Sequence, residues 1–334
     1  MRSKSHLRPL VRVIMIGMAM SLASPALASE GGTSFYLLGS GGPGAAKLPP
    51  IEGIFLDNTT YYYAGSVGGE RPFAIGGNIV ADVDVSVIAN FTTLLWVPST
   101  DFAGGTLALG GTFAVGTPDV EAGVQLSGPG GILIGLSRED DATVVGDPVV
   151  SASLGWKVSK NTDFAIQTMI NVPIGTYRQG RLANLSFHRW ATDLSAAITW
   201  HSDDSKWDLS AKTGVTFNGE NEFTDYDTGT EFHIEGSVER SFSSAFSAGL
   251  QAYHYSQISG DSGSGAELGS NKGRVSAIGI TAAYNFKIGK IPVSSRARFF
   301  EEFGVEKRFD GRSAMLSLTM PLKVKMPVGP PPSP

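Results

Sequence analysis

Three groups of residues in this chain have the types and spacing to do chemistry. Glu231, His233 and Glu235 lie at i, i+2 and i+4, and Glu239 follows four residues later. Side chains alternate between the two faces of a strand, so all four share one face. An imidazole between carboxylates could ligate a divalent ion. The same row also makes a plain polar wall, where water reaches the charges and they cost little, and no metal is expected. Arg296, Arg298 and Glu302 form a second one-sided set. They could pair with Glu231, Glu235 or Glu239 across a lumen, stiffening it, setting its selectivity or holding a plug. The third group is a long loop, residues 174–190, with Tyr177, Arg178, Arg181, Phe187, His188 and Arg189. Cations among aromatic rings could take an anionic aromatic or a fatty-acid head group by charge and stacking, or grip lipopolysaccharide phosphates. A solvated loop with no task has the same composition.

Catalytic signals are poor. The chain has no G-x-S-x-G elbow, no H-E-x-x-H and no P-loop. His201 stands beside Ser202 and Asp203, but in a short turn that would not shelter a nucleophile. The acidic stretch with Glu220, Glu222, Asp225 and Asp227 lacks the spacing of an EF-hand loop. The expectation is a protein that is not an enzyme, with no catalytic residues and no cofactor.

The elements that must position these residues read with a period of two. In residues 207–217, Trp207, Leu209, Ala211, Val215 and Phe217 share one face, while Asp208, Ser210, Lys212 and Thr216 share the other. Residues 231–239 repeat the pattern with Phe232, Ile234 and Val238 opposite the acidic row. Short turns (202–205, 242–244) alternate with long polar loops (218–229, 259–272). Alternating strands of about ten residues, with short turns at one end and long loops at the other, predict an all-β, antiparallel transmembrane barrel. A soluble β-sandwich also alternates, but its loops need not alternate in length.

Composition agrees. Glycine is abundant at 42 residues, and only 17% of residues are charged, against about a quarter in soluble domains. Arg2, Lys4, Arg8 and Arg12 precede an apolar run and Ala26-Leu27-Ala28, which reads as a signal peptide over residues 1–28, cut after Ala28. The net charge of −5 includes those four cations and no anion of the leader, so the mature chain carries −5 − 4 = −9. That argues against a nucleic-acid partner. With no cysteine there is neither a lipobox nor a disulfide framework.

Residues 29–50 read as a flexible leader or a short plug, residues 51–322 as the barrel, and residues 323–334 as a Pro-rich tail. Twelve strands are expected after residue 77, with fourteen as the alternative. This places a tight turn at 116–119 and a strand over 121–137, and leaves residues 51–64 outside the count. A barrel of this size has a lumen that side chains alone do not fill, so it needs a plug or carries water.

Several loop and strand-end motifs carry a resemblance. They are Gly146-Asp147-Pro148, Gly155-Trp156, Asn171-Val172-Pro173-Ile174-Gly175 with Tyr177, and Arg181-Leu182-Ala183-Asn184. They continue with Asn218-Gly219-Glu220-Asn221, Asp225-Tyr226, Thr228-Gly229-Thr230-Glu231-Phe232-His233 and Gly260-Asp261-Ser262-Gly263. With these the chain resembles a family of outer-membrane proteins named for the meta-pathway of phenol degradation. The resemblance implies a barrel related to the outer-membrane channels for long-chain fatty acids and aromatic hydrocarbons. It implies a monomer in the outer membrane of a Gram-negative bacterium that takes up small hydrophobic or aromatic compounds passively. Its expected partners are outer-membrane lipid and lipopolysaccharide, the ligand, and the barrel-assembly machinery. A general diffusion porin with a water-filled lumen, and a structural or adhesive barrel, are the alternatives.

Overall fold

The structure, a computed structural model, describes residues 29–67, 73–75, 77–127 and 133–325. The expected signal peptide, residues 1–28, and the tail from residue 326 lie outside the described residues. Twelve strands run in chain order: β1 (Gly53–Val67), β2 (Asn78–Phe102), β3 (Gly105–Ser127), β4 (Val149–Lys157), β5 (Thr162–Asn171) and β6 (Ala191–His201). They continue as β7 (Trp207–Asn218), β8 (Glu231–Ser241), β9 (Phe246–Gln257), β10 (Arg274–Ile288), β11 (Ile291–Glu306) and β12 (Asp310–Val324). Each pairs antiparallel with its chain neighbours, and β1 pairs with β12 from Gly53↔Val324 to Ser66↔Asp310, which closes the ring. Closure leaves no strand edge unpaired in hydrocarbon, where an unsatisfied backbone group would cost several kcal/mol. No helix among the described residues is long and apolar enough to cross a membrane. Both ends of the barrel lie on the short-turn side, because Gly53 pairs with Val324 and with Val97 near the β2–β3 turn.

The number twelve is as expected, but its membership differs in three places. Residues 51–64 are not surplus; they form most of β1. Residues 116–119 do not turn: β3 runs straight through them, paired with β2 from Phe102↔Gly105 to Ala81↔Gly123. Gly116 and Pro118 imitate a turn in the sequence. In the fold, a Cβ at Gly116 would lie 2.7 Å from the Ile88 carbonyl oxygen, so close strand approach needs glycine there. On the other side of β3, residue 116 pairs with Val144 and residue 119 with Asp141, and Pro118 falls between, where its missing N–H has no partner to lose. Residues 121–137 are therefore not a separate barrel strand. Residues 121–127 are the top of β3, and residues 133–137 begin Leu133–Asp141, which pairs with β3 and is not one of the twelve ring strands.

β2 has 25 residues, about 80 Å along the strand at about 3.3 Å per residue, against an apolar belt about 25 Å tall. Strands β1–β3 thus tower over the long-loop end. Around most of the barrel the outward face is apolar, as Val150, Ile166, Leu194, Ile198, Leu250, Ile278, Ile280 and Leu316 are exposed, with Trp96, Trp200 and Trp207 near the short-turn end. The wall made by β1 and β2 is different. Asn58, Thr60, Asn90 and Thr92 share the parity of the exposed Tyr62, Ile88 and Leu94 and so face outward. They satisfy one another: Asn58 Nδ2 donates to Asn90 Oδ1 (2.9 Å) and Thr92 Oγ1 (2.8 Å), and Asn90 Nδ2 donates to Asn58 Oδ1 (3.0 Å). Behind them Tyr61, Val85, Val87, Ala89 and Phe91 point inward. Polarity is inverted across this wall.

Leu194, on the lipid side of β6 and half exposed, tests the belt. Leu194→Arg is expected to destabilise the barrel by about 2–4 kcal/mol, read as a lower guanidinium midpoint for unfolding from lipid vesicles.

Candidate functional site

The lumen is built from the inward halves of the strands and from residues 29–50, which run along its inside. Those residues come from far away in sequence, yet several of their backbone groups bond to wall side chains. Gly39 N donates to Glu235 (2.8 Å), Gly44 N to Ser210 (3.0 Å) and Ala46 N to Thr199 (3.1 Å). Gln251 Nε2 donates to the carbonyls of Gly39 (3.0 Å) and Gly41 (3.2 Å). Tyr36 stacks on His233 with ring centroids 3.6 Å apart and planes 8° from parallel, and Lys212 Nζ lies 4.8 Å from the Tyr36 centroid. Gly39 has φ +83°, and a Cβ there would sit 2.6 Å from the Phe300 ring; only glycine combines that backbone with that contact. Lys47 pairs with Asp208 at 3.0 Å before the chain reaches β1. The path thus leads from the long-loop end at Ser29 to the short-turn end.

The sequence-predicted wall residues all face inward, each with its own partner. Glu231 accepts from Tyr255 Oη (2.7 Å), His233 Nε2 bonds Asp193 (2.9 Å), and Glu239 pairs with Arg296 and accepts from Ser247 (2.9 Å). Glu302 accepts from Tyr63 (2.9 Å), Tyr253 (2.8 Å) and Gly311 N (3.1 Å). Arg298 departs from expectation: it donates to Ser317 (3.2 Å) rather than forming an ion pair with Glu231, Glu235 or Glu239. Glu231, His233 and Glu235 share a face yet are drawn to separate partners. Among the described residues no three His, Cys, Asp or Glu side chains converge as a metal cage.

The loop candidates divide. Tyr177 and His188 stack with Phe223, whose ring is 4.1 Å from that of His188, and Tyr177 Oη donates to Glu30 (3.3 Å). Arg189 is buried, packs 5.1 Å from the Phe187 centroid and donates to Asn218 (3.3 Å). Arg181 pairs with the buried Asp140 at 2.6 Å, and Arg178 stays exposed. What folds this loop inward is Asp147, visible in the sequence only as part of the Gly146-Asp147-Pro148 motif. Its carboxylate accepts from Asn171 (2.9 Å), Gly175 N (2.8 Å), Ser186 Oγ (2.7 Å), Phe187 N (2.8 Å) and His188 N (3.2 Å).

Between the loop, the N-terminal segment and the inverted wall lies a cavity of about 210 Å³. Tyr61, Val85, Val87, Phe91, Pro118 and Val120 form one side; Leu182, Leu185, Phe187, Leu38 and Phe309 contribute the rest of the apolar surface. Glu302, Arg308, Tyr63 and Tyr253 form one polar corner, and Glu30, Asn184, Ser186 and Arg189 add polar groups on the loop side. The sequence signal for this cavity was the alternation of Val83, Val85, Val87, Ala89 and Phe91 against Asp84, Ser86 and Asn90. Alternation separates two faces but does not say which is inside. The adjacent tyrosines resolve likewise only in the fold: Tyr61 and Tyr63 point into the barrel, and Tyr62 points out.

Asp147→Ala removes an acceptor from five donors, three of them backbone N–H groups, and is expected to cost about 2–5 kcal/mol locally. The expected readout is faster amide hydrogen exchange confined to residues 172–190, with the barrel strands still protected.

Comparison with known proteins fits this architecture. A solved outer membrane channel from Pseudomonas putida F1 superposes with a TM-score of 0.64 at 18% identity, over 85% of this chain and 99% of that one. A FadL homologue of Pseudomonas aeruginosa (TM-score 0.42, 10% identity, 83% of this chain and 92% of that one) and the CymD monoaromatic hydrocarbon channel (0.41, 8%, 81% and 89%) are more distant. The first shows a shared fold. No curated protein matches the chain. The family model described as "Putative MetA-pathway of phenol degradation" matches residues 69–318, most of the chain, and the protein belongs to that family.

Proposed function

We propose that this protein is an outer-membrane channel for the passive uptake of small hydrophobic or aromatic compounds, in which residues 29–50 act as a plug. The observation that carries the reading is the apolar cavity. A water-filled porin has a polar lumen, whereas here valines and aromatic rings dominate the lining of a partly open chamber inside the barrel. A chamber of that lining favours a compact apolar ring by removing it from water, about 25 cal/mol per Å² buried. The polar corner at Tyr63, Tyr253, Glu302 and Arg308 would orient a ligand carrying one hydrogen-bonding group. Transfer is downhill and needs no cofactor. The chain works as a monomer in the Gram-negative outer membrane, delivered by signal-peptide cleavage and the barrel-assembly machinery. Arg178, on the exposed part of the loop at the long-loop end, is placed to meet lipopolysaccharide phosphates.

Two measurements test this. In a planar bilayer the mature protein should pass little current; a steady, large, ohmic conductance would make it a diffusion porin. In cells, Val87→Phe should fill part of the cavity and lower uptake of a radiolabelled monoaromatic compound by about tenfold, equivalent to about 1.4 kcal/mol, with unchanged heat-shifted gel mobility. Uptake equal to that of the parent would remove the cavity from the transport route.

A further inference from the structure

The top of the N-terminal segment ends against a buried carboxylate, that of Asp261. Ser29 N donates to Asp261 Oδ2 at 3.1 Å, with Ser29 1% and Asp261 3% exposed. The carboxylate is held in place by Tyr226 Oη (2.8 Å), Gly229 N (3.0 Å) and Gln257 Nε2. Ser29 Oγ donates to Gln257 Oε1 (3.2 Å). A fixed, buried carboxylate with one partner being a lone backbone N–H is an uneven match, because a buried charge calls for an opposite one.

Two further observations agree. First, this part of the interior is short of cations. Glu30, Glu231, Asp261 and Glu302 supply four carboxylates, against the guanidinium groups of Arg189 and Arg308 and the Lys307 ammonium bonded to the neighbouring Asn271. Second, Ser29 has φ +63° and ψ 135°, a combination that an L residue adopts only under strain. That torsion involves the carbonyl of residue 28. Once the chain starts at Ser29, the strain has no atoms left to act on.

We propose that Asp261 is a receptor for the α-ammonium group of Ser29, formed by cleavage after Ala28, and that this ion pair fastens the N-terminal segment inside the barrel only in the processed chain. Hydrolysis of the Ala28–Ser29 peptide by a signal peptidase consumes one water, leaves a carboxylate on Ala28 and an amine on Ser29, and the amine takes up a proton. The single N–H donor becomes three, and one positive charge is added beside the Asp261 carboxylate. Removal of the leader thereby becomes the signal that seats the plug. The inference rests on the plug reading but not on any ligand.

The test uses mature protein purified from outer membranes. Intact mass should place the first residue at Ser29; any other start overturns the proposal. An amine-selective acylating reagent near neutral pH, where α-amines react ahead of lysines, should modify Ser29 on the order of tenfold more slowly in the folded than in the denatured protein. Asp261→Asn should restore fast labelling in the folded state. Equal rates in folded and denatured parent protein would overturn the site. Because Asp261→Asn could disturb folding, a second variant retains two alanines ahead of Ser29 after cleavage. It should lose hydrogen-exchange protection over residues 29–44 and show raised conductance while its barrel strands stay protected. Unchanged protection and conductance in that variant would overturn the coupling. Neither readout involves a transported compound, so a failure of the uptake assay would leave this result intact.

Discussion

The constraint on which the rest depends is that hydrocarbon accepts no unpaired backbone N–H or C=O. β1 must find β12 across the length of the chain, and it does so over fourteen pairs from Gly53↔Val324 to Ser66↔Asp310, with one register shift after Ile54. Everything else is a consequence of that ring. With twelve strands it encloses more space than wall side chains can fill. The inward face therefore has to be polar and wet, or it has to be covered by additional chain. This protein covers it. Residues 29–50 supply backbone donors and acceptors to Glu235, Gln251, Ser210 and Thr199, and the loop of residues 172–190 closes in at the long-loop end around Asp147.

The filling is uneven, and the unevenness is what bears on function. On the β8–β9 side, buried polar groups hold the N-terminal segment at close range, as in the stacked Tyr36–His233 pair fixed from behind by Asp193. On the β1–β3 side, apolar side chains face inward and meet little, which leaves the cavity. The outward face of that wall carries an amide and hydroxyl network in compensation, with Asn58 and Asn90 bonding each other rather than the lipid. A polar group inside a membrane is tolerable when its bonds are met by neighbours. The inversion thus places an apolar chamber beside an otherwise polar lumen without opening the backbone ladder between β1 and β2.

Much of this is legible in the sequence. The acidic row Glu231, His233, Glu235 and Glu239, and the set Arg296, Arg298 and Glu302, point inward because the period of two, together with apolar Phe232, Ile234, Phe299 and Phe303 opposite, leaves them no other face. Partners were not legible. His233 meets Asp193 and Tyr36, Glu235 meets Gly39, and Arg298 meets Ser317, contacts set by how strands stagger around a ring. Nor was the continuity of β3 through Gly116 and Pro118, because the local turn chemistry of those residues is overridden by pairing with β2, about thirty residues away.

By itself, then, the sequence determined the fold class, the approximate number of strands, the end at which the long loops lie and the polar face of most strands. These follow from side-chain period and turn length, which are local properties of the chain. Only the tertiary structure decided which face of β1–β3 is inside, which residues close the barrel, where the cavity lies and what each buried charge touches. Those depend on closure: alternation divides a strand into two faces, but only the curvature of the finished ring says which of the two looks inward.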